Sequence, residues 1–160
     1  MARRDAGDMF SQAQAITALS QASTFYVDMF DPSHQIGQAV KPPFLHVKVN
    51  QTFTGANMNV LNIYFQDAQQ AAGSVGPNAI PGTFENTGIS IINIPKAALV
   101  AGTDLILIPF PMSGGVYGIQ QTSVQPDTLS DSPVQRFVQF LYTVDGIPGT
   151  GSIDAWLDSL

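Results

Sequence analysis

Between Arg136 and Leu157 the apolar positions recur at every second residue. Val138, Phe140, Tyr142 and Val144 fall on one face, while Phe137, Gln139, Leu141 and Thr143 make a mixed opposite face. Period two is the repeat of a β-strand, whose side chains point alternately to the two faces of a sheet. Gly146, Pro148, Gly149 and Gly151 follow, supplying positive φ and a fixed turn φ. The alternation then resumes, with Ile153, Ala155 and Leu157 on the core side and Ser152, Asp154 and Trp156 outward. Two strands separated by turn formers predict a β-hairpin.

The same pattern recurs upstream. Phe44–Thr54 sets Leu45, Val47 and Val49 against His46, Lys48 and Asn50, and Met58–Gln66 sets Leu61, Ile63 and Phe65 against Val60, Asn62 and Tyr64. The Gly55 turn between them predicts a second hairpin. Thr87–Ile94, with Ile89, Ile91, Ile92 and Ile94, is β-branched enough to predict a strand that Pro95 ends. Lys96–Val100 fits one helical turn before Gly102, and Asp104–Ile108 is a strand stopped by Pro109. Met9–Ala22 fits two patterns, an amphipathic helix through Phe10, Ala13, Ile16 and Leu19 or an alternating strand. A strand is the reading carried forward, with another over Ser23–Met29. Asp31–Pro43, Asp67–Glu85 and Met112–Pro133 are rich in Gly, Pro and polar residues and read as loops, the last two as long excursions. Seven or eight short strands without a convincing long helix predict an all-β fold, an antiparallel β-sandwich of jelly-roll type with two long loops. Residues 1–9 are expected to be a flexible arm and 10–160 a single domain.

Composition narrows the chemistry. Charged residues are 11% of the chain while hydrophobic ones are 44%, and Glu85 is the only glutamate, so the polar surface must be built mostly from Gln, Asn, Ser and Thr. A net charge of −6 argues against a nucleic-acid surface, which needs clustered Lys and Arg. Arg3 and Arg4 are the only basic pair. No apolar run reaches the roughly 18 residues of a membrane span. With no cysteine, a disulfide framework, a zinc ribbon and a thiol nucleophile are all excluded. The two histidines, His34 and His46, offer a poor basis for a triad: His34 lies in a loop beside Asp31 and Ser33, whose side chains cannot all converge, and His46 reads as a strand surface residue. Asp67, Asp104, Asp127, Asp131 and Asp145 look like turn and solvation residues, not paired glycosidase carboxylates. The glycines of 146–151 lack the helix and lysine of a phosphate loop, and Asn50-Gln51-Thr52 is a sequon that matters only in a secreted eukaryotic protein. The expectation is a non-enzyme without cofactor or metal.

The order of segments resembles the small jelly-roll cement, or decoration, proteins of tailed-bacteriophage capsids. The likeness lies in Phe-Ser-Gln-Ala-Gln-Ala-Ile-Thr-Ala at 10–18, Ala-Ser-Thr-Phe-Tyr-Val-Asp at 22–28 and Leu-Val-Ala-Gly-Thr-Asp-Leu at 99–105. It closes with Arg-Phe-Val-Gln-Phe-Leu-Tyr-Thr-Val and Gly-Ser-Ile-Asp-Ala-Trp-Leu. About half of the chain is covered, by packing and turn patterns. The resemblance implies a virion protein, made in the bacterial host cytoplasm, that binds the outer surface of the assembled capsid, bridges neighbouring major capsid protein subunits and stabilises the shell. It also implies self-association, as a homodimer or a trimer, with no nucleic-acid or membrane partner. The residues expected to meet the capsid or a second copy are Arg3, Arg4, Met9, Phe10, Tyr117 and Trp156. The alternative from another class is a carbohydrate-binding or adhesin-like sandwich, which would need Trp156, Tyr117 and Tyr64 to form an exposed stacking platform.

Overall fold

The computed structural model describes residues 9–28, 44–74, 78–109 and 136–158. They form nine strands and one 3₁₀ turn: β1 (Met9–Ala15), β2 (Ser20–Ala22), β3 (Val27–Asp28), β4 (Phe44–Gln51), β5 (Val60–Ala68), β6 (Glu85–Pro95), the turn Lys96–Ala98, β7 (Asp104–Pro109), β8 (Phe137–Val144) and β9 (Ser152–Asp158). Two antiparallel sheets pack face to face. One has the order β1-β9-β4-β7, the other β2-β8-β5-β6 with β3 also on β8. The opening segment is therefore strand and not helix, and the Ser23–Met29 element is reduced to Val27–Asp28 within the described residues.

Strand pairing is nested in sequence. β5 pairs with β6, β4 with β7, β2 and β3 with β8, and β1 with β9, so the chain is one long antiparallel hairpin whose tip is β5–β6. Rolling that hairpin up brings β9 beside β4 and β8 beside β5. This is the jelly roll expected from the alternation.

Both predicted hairpins are overturned by the same geometry. β8 and β9 lie in opposite sheets, as do β4 and β5, and the turns between them are arches across the core. Period two fixes which face a side chain takes but not which strand lies alongside. Glycine makes one arch possible: a Cβ on Gly146 would run into the Asn57 carbonyl, and Gly151 sits at φ +148 with the Phe53 ring where its Cβ would be. The arch is held by bonds from Gly149 N to Thr54 O (2.6 Å) and from Thr54 N to Thr150 O (2.9 Å).

The expected faces are correct. Leu45, Val47, Val49, Leu61, Ile63, Phe65, Val138, Phe140, Tyr142, Val144, Ile153, Ala155 and Leu157 are all buried in one core between the sheets. A buried polar knot ties the sheets together. Ser11 Oγ donates to Gln14 Oε1 at 2.6 Å, so the Tyr142 hydroxyl at 2.9 Å donates to Ser11, while Gln14 Nε2 donates to Ala22 O. Burial pushes the Tyr142 hydroxyl well above the ordinary tyrosine range.

At the β8 end of the arch, Asp145 accepts from Asn59 N, Asn59 Nδ2 and Val60 N at 2.8, 3.0 and 3.0 Å. These bonds hold its carboxyl down at about 2. A depressed folded pKa stabilises above the unfolded value, near 3.9, and the contribution fades as pH falls through the folded one. Asp145→Asn should therefore melt lower than the native chain at neutral pH, with the gap closing between about pH 4 and pH 2. Melting curves across that window are the check, and a gap that does not change with pH contradicts it.

Candidate interaction surface

The nested pairing sorts the connections by length. Ala68 pairs with Phe137, Phe137 with Asp28, Asp67 with Glu85 and Phe44 with Pro109, so residues 29–43, 69–84 and 110–135 all leave and re-enter at one end of the sandwich. Met9, opposite Trp156, places the start of β1 at that end too. The short arches, 52–59 and 145–151, lie at the other end. Loops usually carry function, and here every long connection shares one rim.

Arg136 anchors that rim. Its guanidinium donates through Nε and Nη2 to both carboxylate oxygens of Asp28 at 2.9 and 2.7 Å, and through Nη1 to Gln70 Oε1 at 3.0 Å. It also lies 5.0 Å above the Phe137 ring. One side chain thus joins the last described residue before 29–43, the first after 110–135, and the 69–84 connection. Phe137 is outward in phase yet fully buried, because Ala68, Ala79 and Phe84 close over it as a second small core and Tyr26 meets its ring edge-on at 5.5 Å. Tyr26 itself stays 44% exposed.

From this rim the outer face of the five-stranded sheet runs as cross-strand rows. In the first, Gln139 Nε2 donates to Gln66 Oε1 and Gln66 Nε2 to Asn86 Oδ1, each at 2.9 Å. Ala22, Leu141, Tyr64 and Ser90 make the second. In the third, Asn62 Nδ2 donates to Thr143 Oγ1 at 3.2 Å and Asn62 Oδ1 accepts from Asn93 N at 2.7 Å. None of these row residues is charged, and all are half-buried or exposed. The amides are already ordered by one another, so contact with this neutral surface costs little further side-chain freedom.

The expected contact residues fare differently. Phe10 is wholly buried, edge-on to Phe140 at 5.0 Å, and belongs to the core. Met9 is the first residue of β1 and is not part of a flexible arm; it is buried opposite Trp156. Trp156 does point outward, but it is only 7% exposed and stacks on His46 at 4.8 Å. A buried ring cannot serve as a docking surface or stacking platform. Arg3, Arg4 and Tyr117 lie outside the described residues, as does His34. Tyr64 sits on the other sheet from Trp156, so these two rings face opposite sides of the sandwich.

Sequence reasoning missed the amide rows because their members come from three strands, although the outward phase of Gln139, Asn62 and Tyr64 was legible. Nothing local marks the Arg136–Asp28 pair. Among the described residues no group of three His, Cys, Asp or Glu side chains is placed to hold a metal ion, and no helix is long and apolar enough to cross a membrane. Comparison with models of known protein families and with curated protein sequences finds no match.

Proposed function

We propose that the protein is a structural binding module that decorates the outside of an assembled shell, a tailed-bacteriophage capsid, and strengthens it by bridging neighbouring coat subunits. The observation that carries this reading is the charge-free, internally hydrogen-bonded outer face of the five-stranded sheet. Interface centres are depleted of charge, and a rigid face is suited to a rigid lattice. The jelly roll alone argues little, since the fold hosts unrelated functions; the resemblance in sequence supplies the choice of shell. Touching two subunits at once lets each weak contact gain from the effective concentration set by the other, so assembled lattice is preferred over free subunits.

The experiment is co-sedimentation with mature shells, with unassembled coat protein and with neutral polysaccharide, across a salt series. Binding should favour shells, change little with salt and raise the heat resistance of loaded shells. Tyr64→Lys, at an outward position, should weaken shell binding about tenfold or more, as expected for charge placed in an interface centre, without lowering the melting temperature. Equal affinity for free subunits, or shells no tougher when loaded, removes the decorating role. The second reading, a module for neutral polysaccharide, draws on Tyr64, a half-buried ring between two rows of amides. It takes over if polysaccharide and not shell is retained and Tyr64→Ala abolishes that retention.

A further inference from the structure

We propose that the Asp145–Gly146 linkage is a latent site of isoaspartate formation, closed by the folded arch, open in the unfolded chain and incompatible with the arch once converted. The site is independent of the shell-binding role proposed above.

Asp145 is the only Asp or Asn in the chain that glycine follows. A glycine there puts no side chain beside the next amide nitrogen and leaves the backbone free to turn. In the conversion the Gly146 nitrogen attacks the side-chain carboxyl carbon of Asp145 in its protonated form. A C–N bond forms, the nitrogen gives up its proton and the carboxyl hydroxyl leaves, so one water is lost and a five-membered succinimide results. Water then adds at one of the two ring carbonyls. Opening at the side-chain carbonyl restores aspartate; opening at the main-chain carbonyl leaves the backbone running through Cβ and frees the former main-chain carboxyl. The composition ends unchanged, and the backbone is longer by one methylene.

The folded arch opposes each step. Asp145 Oδ1 accepts from Asn59 N and Val60 N, and Oδ2 accepts from Asn59 Nδ2. These bonds favour the ionised carboxyl, whose oxygens cannot leave as water, and a pKa of about 2 keeps the protonated form scarce. The ring retains only one of the two side-chain oxygens, so closing it also gives up at least one of the three bonds. The product fits no better. Val144 N is tied to Leu19 O at 2.9 Å and Gly149 N to Thr54 O at 2.6 Å, so the added methylene must be taken up between two fixed points. Gly146 lies between them, buried, where even a Cβ would run into the Asn57 carbonyl.

In the unfolded chain all three bonds are gone. Nested pairing joins strands far apart in sequence, a topology that folds slowly, so the unfolded chain has time to react. Conversion therefore turns prolonged unfolding into irreversible loss, while the native molecule converts only as often as the arch opens.

The test incubates the full chain at neutral pH in native buffer and in guanidinium chloride. Isoaspartate is then located by electron-transfer mass spectrometry of the tryptic segment that follows Arg136. Conversion at 145 should be about tenfold or more faster in denaturant than in native buffer. In denaturant it should also outpace Asp154, which alanine follows. After dilution into native buffer, size-exclusion chromatography should place isoaspartate at 145 in the material that fails to refold and leave the refolded pool without it. Asp145→Glu, whose longer side chain closes a ring far more slowly, should keep its refolding yield through the same incubation; if that variant does not fold at the outset, the two pools of the native chain decide. Equal rates in the two solvents overturn the proposal. So does isoaspartate at 145 in the refolded pool at its level before dilution, or an equal loss of yield in a folding Asp145→Glu chain.

Discussion

Phe140→Ala should cost about 3 to 5 kcal/mol, the range for deleting a buried phenylalanine, and lower the melting temperature by roughly 6 to 20 °C for a chain of this size. Phe140 stands where the two sheets meet. It is 1% exposed, lies edge-on to Phe10 at 5.0 Å and Phe65 at 5.5 Å, and stacks with Tyr142 at 6.1 Å. Its neighbours on β1 and β5 are held by separate sheets, so they cannot both close over the space left behind. His46→Ala is the contrast. It removes one half-buried ring from the outer face of the four-stranded sheet and should cost less, though the stack on Trp156 makes the loss measurable. Unfolding free energies from denaturant titration decide the order. A larger loss for His46→Ala contradicts this account of the core.

Arg136→Ala should cost about 3 kcal/mol, the low end for breaking a buried ion pair, since it leaves the Asp28 carboxylate largely desolvated. The side chains are 11% and 16% exposed, so screening by water is limited. The change also removes a donor from Gln70 and the guanidinium above Phe137. Arg136→Lys should recover only a minor share, because an ammonium cannot serve both Asp28 oxygens and Gln70 in the same plane. Adding Asp28→Asn to Arg136→Ala should restore part of the loss, as the uncompensated charge is then gone. A double variant that is less stable than Arg136→Ala contradicts the pairing argument. Arg136 ties together the roots of three long connections, so if the rim assists binding, Arg136→Ala weakens shell affinity more than its effect on the fraction folded explains.

The legible part of the fold was the part that depends on neighbouring residues. Alternation along β4, β5, β8 and β9 assigned Leu45, Leu61, Phe140 and Ile153 to the core, and each is there. Pro95 and Gly102 bounded the Lys96–Ala98 turn as expected. Pairing partners were not legible: a turn-rich segment such as 145–151 suits an arch as well as a hairpin. The choice depends on which strand edges are already occupied, and β8 is flanked by β5 on one side and by β2 and β3 on the other. The contact surface was the least legible. Phe10 and Trp156 were expected to make contacts, but burial is decided by what the rest of the chain lays over them.

By itself, then, the sequence determined an all-β chain with known core faces, a surface poor in charge and no local catalytic signature, because each of these follows from side-chain type and period two. Only the tertiary structure decided that the strands nest into a jelly roll, that the long connections share one end, and that Gln139, Gln66 and Asn86 form a single bonded row. Those outcomes join residues far apart in the chain, Asp28 to Arg136 and Gln66 to Gln139 among them. Such contacts are selected by the closure of the whole core, where all the sheet edges and faces compete at once, and no local pattern of residues encodes the result of that competition.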